Sequence, residues 1–227
     1  MSRSLARSNA HHRKALQKLP LGVSSNFRYW GPDKTIYARR GRGCRIWDID
    51  DNEYIDYRLG YGPSILGYAD PRVDAAARAG IEVGGVFALS TEREYDVARR
   101  ISKMVPAAEL VRFSNSGTEA VMAAVRLAKA YTGKDSHIIV EGGYHGVFDA
   151  VLWYVDFEDW DPSMGDPPVE ADSYGVPVMM KKLAYFTPLN DANYLEDVLR
   201  KHHSSIGAFL IEPMMGNCCA LSSTTEF

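Results

Sequence analysis

The residues best suited to chemistry lie where a short apolar stretch meets a predicted helix. Ser116, Gly117 and Thr118 precede an amphipathic stretch of about four helical turns. Ser116 and Glu119 have the spacing of a capping box, which predicts where the helix begins. Hydroxyl groups beside the free N–H groups of a first turn, together with the helix dipole, favour an anion such as phosphate. The stretch therefore predicts a phosphate site, although an ordinary strand–turn–helix connection fits these residues equally well.

A second candidate segment follows a short apolar run at residues 137–140. It reads Glu-Gly-Gly-Tyr-His-Gly at 141–146, so glycines flank Tyr144 and His145. In α/β sheets, ligands bind at the carboxyl ends of strands. Tyr144 could stack on a flat cofactor ring, and His145 could form hydrogen bonds or transfer protons. The alternative is a buried tyrosine beside a histidine whose hydrogen bonds are internal.

Two further segments carry charged groups. Arg28 lies in a polar loop and could bind a carboxylate through its guanidinium group, or it could be an ordinary surface arginine. The acidic residues at 50–53 lack the spacing and the glycine of a calcium-binding loop, so we interpret them as a hairpin turn.

The elements that must position these residues alternate between helices and strands from Asp70 onward, which predicts a mainly parallel sheet covered by helices. Asp70-Pro71 is a typical helix start. The segment from Trp153 to Pro177 shows no periodicity and is predicted to be a long, mobile loop. The predicted strands are Thr35–Arg39, Cys44–Asp48, Tyr54–Tyr57, Leu110–Phe113, His137–Val140, Leu183–Phe186 and Gly207–Ile211.

Composition excludes several classes of protein. The 227 residues are 46% hydrophobic and 24% charged, which are values of a globular protein, and the net charge of −3 gives no reason to expect nucleic acid. No apolar run is long enough to span a membrane. The basic N-terminus lacks the apolar core of a secretory signal, although a transit peptide is an alternative. The three cysteines form neither a disulfide framework nor a metal-ligand pattern, so we expect a cytoplasmic protein without a metal.

Charge is distributed unevenly along the chain. Basic residues dominate before Ile46, and acidic residues dominate between Asp156 and Asp172. Two solvated surfaces explain this pattern, and a basic arm that binds an acidic substrate or partner is the alternative.

Taken together, the motifs resemble the class III aminotransferases, which are pyridoxal-phosphate enzymes, and within them the glutamate-1-semialdehyde 2,1-aminomutase group. The resemblance implies an aspartate-aminotransferase-type fold (fold type I). Residues 1–60 would be an N-terminal helix and small β unit of the small domain. Residues 61–227 would be the first part of the large α/β cofactor-binding domain. The segments that carry the resemblance are Gly22–Arg28, Trp47–Tyr57, Gly62–Val73, Val111–Lys134, Glu141–Asp149 and Ile211–Asn217.

The resemblance also implies roles for individual residues, with pyridoxal 5′-phosphate as the cofactor. The substrate would be an amino acid or keto acid bearing a carboxylate, received by Arg28 in a pocket that Tyr61 and Ser25 also line. The segment after Trp153 would be a mobile gate, and the full-length protein would be a homodimer. The residues implied to contact the cofactor are Ser116, Gly117, Thr118, Tyr144, His145, Glu212 and Asn217.

Two features depart from the family pattern. The family's aspartate on the pyridine nitrogen and its Schiff-base lysine are expected after residue 227, so we assign no catalytic residue here and expect the chain alone to be inactive. Tyr61 stands where the aminomutase usually has Trp, and Asn26-Phe27 where it commonly has Pro-Val, which favours a related aminotransferase over the strict aminomutase. The alternative function is a truncated, inactive remnant that binds the cofactor or a partner.

Overall fold

The polypeptide divides into two units, Met1–Glu94 and Tyr95–Phe227, in a computed structural model that describes residues 3–155, 157, 160–161 and 164–227. The helix Glu92–Met104 begins in the first range and ends in the second. The domain boundary predicted at residue 60 stays a prediction.

The first unit contains a small antiparallel sheet between helices. Strands β1, β2 and β3 lie in the order of the chain, and each pairs antiparallel with the next. This confirms the predicted antiparallel unit, although β1 begins three residues later than expected. The elements are α1 (Ala6–Ala15), two short 3-10 turns (Pro20–Gly22 and Asn26–Arg28), β1 (Ala38–Arg42), β2 (Arg45–Asp48), β3 (Glu53–Ile55), α2 (Pro71–Glu82) and the first turn of α3 (Glu92–Met104).

The acidic turn between β2 and β3 holds the start of α1. Asp50 accepts hydrogen bonds from the backbone N–H groups of Arg7 (2.7 Å) and Ser8 (2.8 Å). Asp51 forms ion pairs with Arg7 and Arg39. The carboxylates therefore satisfy first-turn amides that have no partner inside the helix. The segment is a turn, as predicted, and it binds part of the basic arm.

Helix α2 begins at Asp70-Pro71, as the sequence predicted. The Asp70 carboxylate accepts from the backbone N–H of Arg72 at 2.9 Å and of Val73 at 3.4 Å, and Pro71 occupies the first helical position. A proline is tolerated there because its missing N–H would have no intrahelical acceptor.

The second unit is built on a parallel sheet whose central strand is β4. Strands β7 and β8 pair with its two edges, both parallel to it, so the order is β7-β4-β8. This confirms the predicted parallel α/β architecture. The elements are α4 (Gly117–Thr132), β4 (Ser136–Val140), β7 (Ala184–Thr187), α5 (Ala192–His202) and β8 (Ile206–Leu210).

Strand β4 is buried along its whole length. Successive side chains of a strand point to opposite faces of the sheet. Accordingly, Ile139 packs in a cluster with Trp153 and Phe186, whereas Ile138 packs with Val198 and Ile206. The central strand therefore joins two hydrophobic clusters.

The prediction of an irregular segment from Trp153 to Pro177 is wrong in part. Strands β5 (Trp153–Val155) and β6 (Val169–Ala171) pair antiparallel, and Trp153 and Val155 are buried in the core. The alternation of these two buried side chains with the exposed Tyr154 covers only three residues, and a pattern of that length does not predict a strand. The acidic residues Asp156, Glu158 and Asp159 lie outside the described residues. A 3-10 helix (Val178–Leu183) and the short strands β9 (Met214–Met215) and β10 (Leu221–Ser222) complete the unit.

Two other predictions about local structure are wrong. Residues 110–113 do not form a strand, and Leu110 is 95% exposed, because no neighbouring segment among the described residues pairs with it. The helical spacing of apolar residues in α4 predicts an apolar face that includes Leu127 and Tyr131, but these side chains are 71% and 91% exposed. The buried residue of α4 is Val125. Alanines lie on both sides of this helix, so the sequence pattern did not predict which side packs against the rest of the unit.

Candidate functional site

The N-terminus of α4 has the geometry that an anion site requires. Ser116 is the N-cap residue, and its Oγ accepts from the backbone N–H of Glu119 at 3.2 Å. The Glu119 carboxylate accepts in return from Asn115 N at 2.7 Å, one residue earlier than a capping box predicts. The N–H groups of Gly117 and Thr118 have no intrahelical acceptor because they open the helix. A Cβ built on Gly117 would meet no atom within 4 Å, so the space in front of this turn is open.

Thr118 joins this turn to the segment that carries Tyr144 and His145. Its Oγ1 accepts from the backbone N–H of Val147 at 3.2 Å. Gly146 lies against the same residue with a φ of +105°, and a Cβ there would approach Thr118 Oγ1 to 2.6 Å and Cα to 2.8 Å. Glycine is therefore the residue that fits both the backbone angle and the contact. The two segments that the sequence singled out separately are adjacent in the structure.

Glu212 joins the Tyr144 segment to the loop that follows β8. One carboxylate oxygen accepts from Tyr144 N at 2.8 Å, and the other accepts from Gly216 N at 3.2 Å. Asn217 follows Gly216 and is exposed. The Tyr144 ring is 48% exposed, so part of its face remains accessible. Glu212 thus binds the backbone of two loops, a contact that the sequence motif did not predict.

His145 lies beneath this surface. It is buried, and its Nε2 has no hydrogen-bond partner among the described residues. Burial lowers the pKa of His145, and the nearby Glu212 carboxylate opposes that shift. A lowered histidine pKa means that the ring is neutral at pH 7.

His137 is a second buried histidine that sequence reasoning treated only as a strand residue. Its Nε2 lies 2.8 Å from the Ala150 carbonyl, to which it donates, and its Nδ1 is buried without a partner among the described residues. Burial lowers the pKa of His137 to about 4. The sequence signal that could have predicted a buried histidine is its position at the start of the apolar run His-Ile-Ile-Val.

The residues predicted to bind substrate belong to the first unit. Arg28 and Tyr61 line the same pocket. The Arg28 guanidinium donates to Ser24 Oγ at 2.8 Å, whereas Ser25 contributes its backbone carbonyl to Arg28 N at 2.9 Å. The Tyr61 hydroxyl donates to the Phe27 carbonyl at 2.9 Å. The sequence did not predict that Ser24 binds the Arg28 side chain. The predicted substrate contact of Ser25 stays a prediction.

Comparison with known proteins identifies the family. The family model described as aminotransferase class-III matches residues 29–227. The chain belongs to the class III aminotransferases.

Curated relatives include two glutamate-1-semialdehyde 2,1-aminomutases. That of Methanothermobacter thermautotrophicus is 42% identical over 205 residues, which cover 90% of this chain and 47% of the relative. That of Aquifex aeolicus is 38% identical over 218 residues, covering 95% of this chain and 50% of the relative. The chain therefore spans about half the length of the curated relatives it matches.

Solved structures show that the fold is that of type I transaminases. An omega-transaminase from Sphaerobacter thermophilus superposes with a TM-score of 0.88 at 32% identity, over 97% of this chain and 50% of that one. A structure described as a transaminase with PLP bound superposes with a TM-score of 0.90 at 32% identity, over 99% and 51%.

The predictions about cysteines and membrane spans concern the chain as a whole. Cys44, Cys218 and Cys219 are free thiols. Within the described part of the chain, every helix is too short or too polar to cross a bilayer.

Proposed function

We propose that this chain supplies the phosphate-binding and ring-binding parts of a pyridoxal-phosphate site for amino-group transfer. The observation that supports it is the convergence of three loops. Thr118 accepts from Val147 N in the segment that carries Tyr144 and His145, and Glu212 accepts from Tyr144 N in the same segment. An anion-binding helix start next to an accessible aromatic ring matches the two ends of this cofactor.

Each residue has a distinct task in this proposal. The N–H groups of Gly117 and Thr118 and the Ser116 hydroxyl would donate to the phosphate, which the open space before Gly117 can admit. The Tyr144 ring would stack on the pyridine ring, and His145 would remain a neutral neighbour. Asn217 would approach from the loop that Glu212 holds. When bound, the cofactor supplies the electron sink that lets an amino group leave one carbon and join another.

The substrate class follows from the first unit and from the relatives. Arg28 would bind a carboxylate of an amino acid or keto acid through paired N–H donors. The curated relatives are named for glutamate-1-semialdehyde, an amino compound that bears a carboxylate. We also propose that the complete protein is a homodimer in the cytoplasm.

Binding of pyridoxamine 5′-phosphate tests the site without requiring turnover. This probe has no aldehyde, so it cannot react with surface lysines, and pyridoxamine without the phosphate measures the contribution of the helix start. We expect Ser116→Ala to weaken binding at least tenfold, since a hydrogen bond to a charged group contributes roughly 1.5–3 kcal/mol. We expect Tyr144→Ala to weaken it about threefold to tenfold, from the usual strength of an aromatic contact.

Tyr131→Ala is the matched control, because Tyr131 is an exposed tyrosine at the far end of α4. It should bind the probe like the wild type. Equal affinity of the wild type for pyridoxamine with and without phosphate would overturn the proposed phosphate site.

The second candidate function is a remnant that binds the cofactor but catalyses nothing. The coding region beyond the codon of Phe227 separates the two. A continued reading frame that supplies a cofactor-binding lysine supports amino transfer, and a stop codon supports the remnant.

A further inference from the structure

Arg58 makes a network of contacts around the turn that carries Arg28. Its Nη1 donates to the Phe27 carbonyl at 3.1 Å and to the Tyr61 hydroxyl oxygen at 2.9 Å. The Tyr61 hydroxyl donates to the same Phe27 carbonyl at 2.9 Å. One carbonyl next to Arg28 thus receives two hydrogen bonds from the segment 58–61.

Ring contacts reinforce this network on both sides of Arg28. The Phe27 and Tyr61 rings meet edge to face with centroids 6.1 Å apart. The Arg58 guanidinium carbon lies 5.3 Å from the centroid of the Trp30 ring, a distance at which a cation is attracted to the ring. Arg58 therefore contacts residues that precede and follow Arg28 in the chain.

The segment that carries Arg58 has an unusual backbone. Leu59 and Tyr61 have positive φ angles of 50° and 65°, a region that side-chain-bearing residues rarely adopt. Such conformations persist only where surrounding contacts hold them, and they concentrate at functional sites. Here the Asp56 carboxylate holds the segment by accepting from Arg58 N at 2.7 Å, and Asp56 in turn accepts from the Tyr68 hydroxyl.

Other arginines of the same pocket have different partners. Arg39 forms an ion pair with Asp51, and the Arg40 guanidinium lies 3.7 Å from the centroid of the Trp47 ring. Among these arginines, Arg58 is the one whose side-chain hydrogen bonds reach the turn Asn26–Arg28.

We propose that Arg58 is a positioning residue that fixes this turn, so that the Arg28 guanidinium is held ready for the carboxylate of the substrate. This inference rests on the proposed function, in which Arg28 binds that carboxylate. Arg58 acts through Phe27 and Tyr61 and does not itself contact the substrate.

Hydrogen exchange of the amides of Arg28 and Tyr29 tests the contact directly. These amides donate to the carbonyls of Ser25 and Asn26 within the turn. Exchange in Arg58→Ala should be about five- to thirtyfold faster, the range expected when one or two hydrogen bonds of ordinary strength are lost. Arg58→Lys keeps a cationic donor and should restore part of the protection.

The affinity of the chain for L-glutamate, measured by calorimetry, tests the function of the contact. Arg28→Ala should abolish binding, Arg58→Ala should weaken it at least fivefold, and Arg58→Lys should recover part of it. Arg78→Ala, which removes an exposed arginine of α2 outside this pocket, should leave both exchange and affinity unchanged. If Arg58→Ala does not fold, Tyr61→Phe removes one donor to the Phe27 carbonyl and should show smaller changes of the same sign.

The two ways of failing are distinct. Glutamate affinity that is equal in the wild type and in Arg28→Ala would overturn the proposed role of Arg28. Exchange or affinity that Arg58→Ala leaves at wild-type values, while Arg28→Ala abolishes binding, would overturn the role of Arg58.

Discussion

The buried His137 should make the stability of the second unit depend on pH. The ring is neutral in the folded protein because burial lowers its pKa from the ordinary value of 6.5 to about 4. Protonation would place a new N–H on Nδ1, where the described residues offer no acceptor. The unfolded chain therefore binds a proton more readily than the folded one. The stabilisation is present above pH 6.5 and is lost as the pH falls from 6.5 towards 4.

The size of the effect follows from the two pKa values. A shift of this size corresponds to about 3 kcal/mol when it is lost completely. Between pH 7 and pH 5 the loss amounts to about 2 kcal/mol, because at pH 5 the unfolded ring is almost fully protonated and the folded ring is not. His145 contributes in the same direction, since burial also lowers its pKa. The positive charges of Lys129 and of a protonated His145 also lower the pKa of His137.

The variant His137→Gln isolates this contribution. Glutamine can donate to the Ala150 carbonyl as Nε2 does, but it does not titrate. Urea unfolding at pH 7 and pH 5 should show the wild type losing about 2 kcal/mol more than the variant. Both proteins retain His145, so its own burial contributes to the loss in both. His203→Gln, which removes an exposed imidazole, should behave like the wild type. Equal losses in the wild type and His137→Gln would refute the reasoning.

Three further outcomes follow from the structure. Gly146→Ala should lower the free energy of unfolding, measured by thermal denaturation, by about 2–3 kcal/mol, because alanine at this position has a strained φ and contacts Thr118. Gly117→Ala is the control and should change the free energy of unfolding little, because Gly117 faces open space. Asp70→Ala should destabilise by about 1 kcal/mol in urea unfolding through loss of the α2 cap, and an unchanged midpoint would contradict that role. Glu212→Gln should lower the pKa of His145 further, because the carboxylate raises it, and a histidine NMR titration that shows a rise would exclude this coupling.

Sequence reasoning succeeded where the cause of a structure is local. Ser116 and Asp70 begin helices because their own side chains accept from the next turn, so spacing alone located both starts. Gly133 ends α4 in the left-handed conformation, which glycine adopts without steric cost. The start of α4 could therefore be located to within a residue.

Sequence reasoning failed where the cause lies elsewhere in the chain. The strand expected at residues 110–113 needed a partner, and the packed side of α4 depended on the strand β8 that the helix contacts. The contacts of Thr118 and Glu212 could not be predicted because each binds the backbone of a segment far away in the chain. Family resemblance named both residues, but their hydrogen bonds are visible only in three dimensions.

The strand order β7-β4-β8 has a consequence for synthesis of the chain. Strand β4 leaves the ribosome well before its two partners, and β8 ends at Leu210. Until then, an apolar strand that is buried in the folded state has both edges unpaired, which is the condition that favours aggregation. Parallel pairing across such separations is also slow to form. We therefore expect nascent chains that end before β8 to require a chaperone, and chains that include it to be released from one.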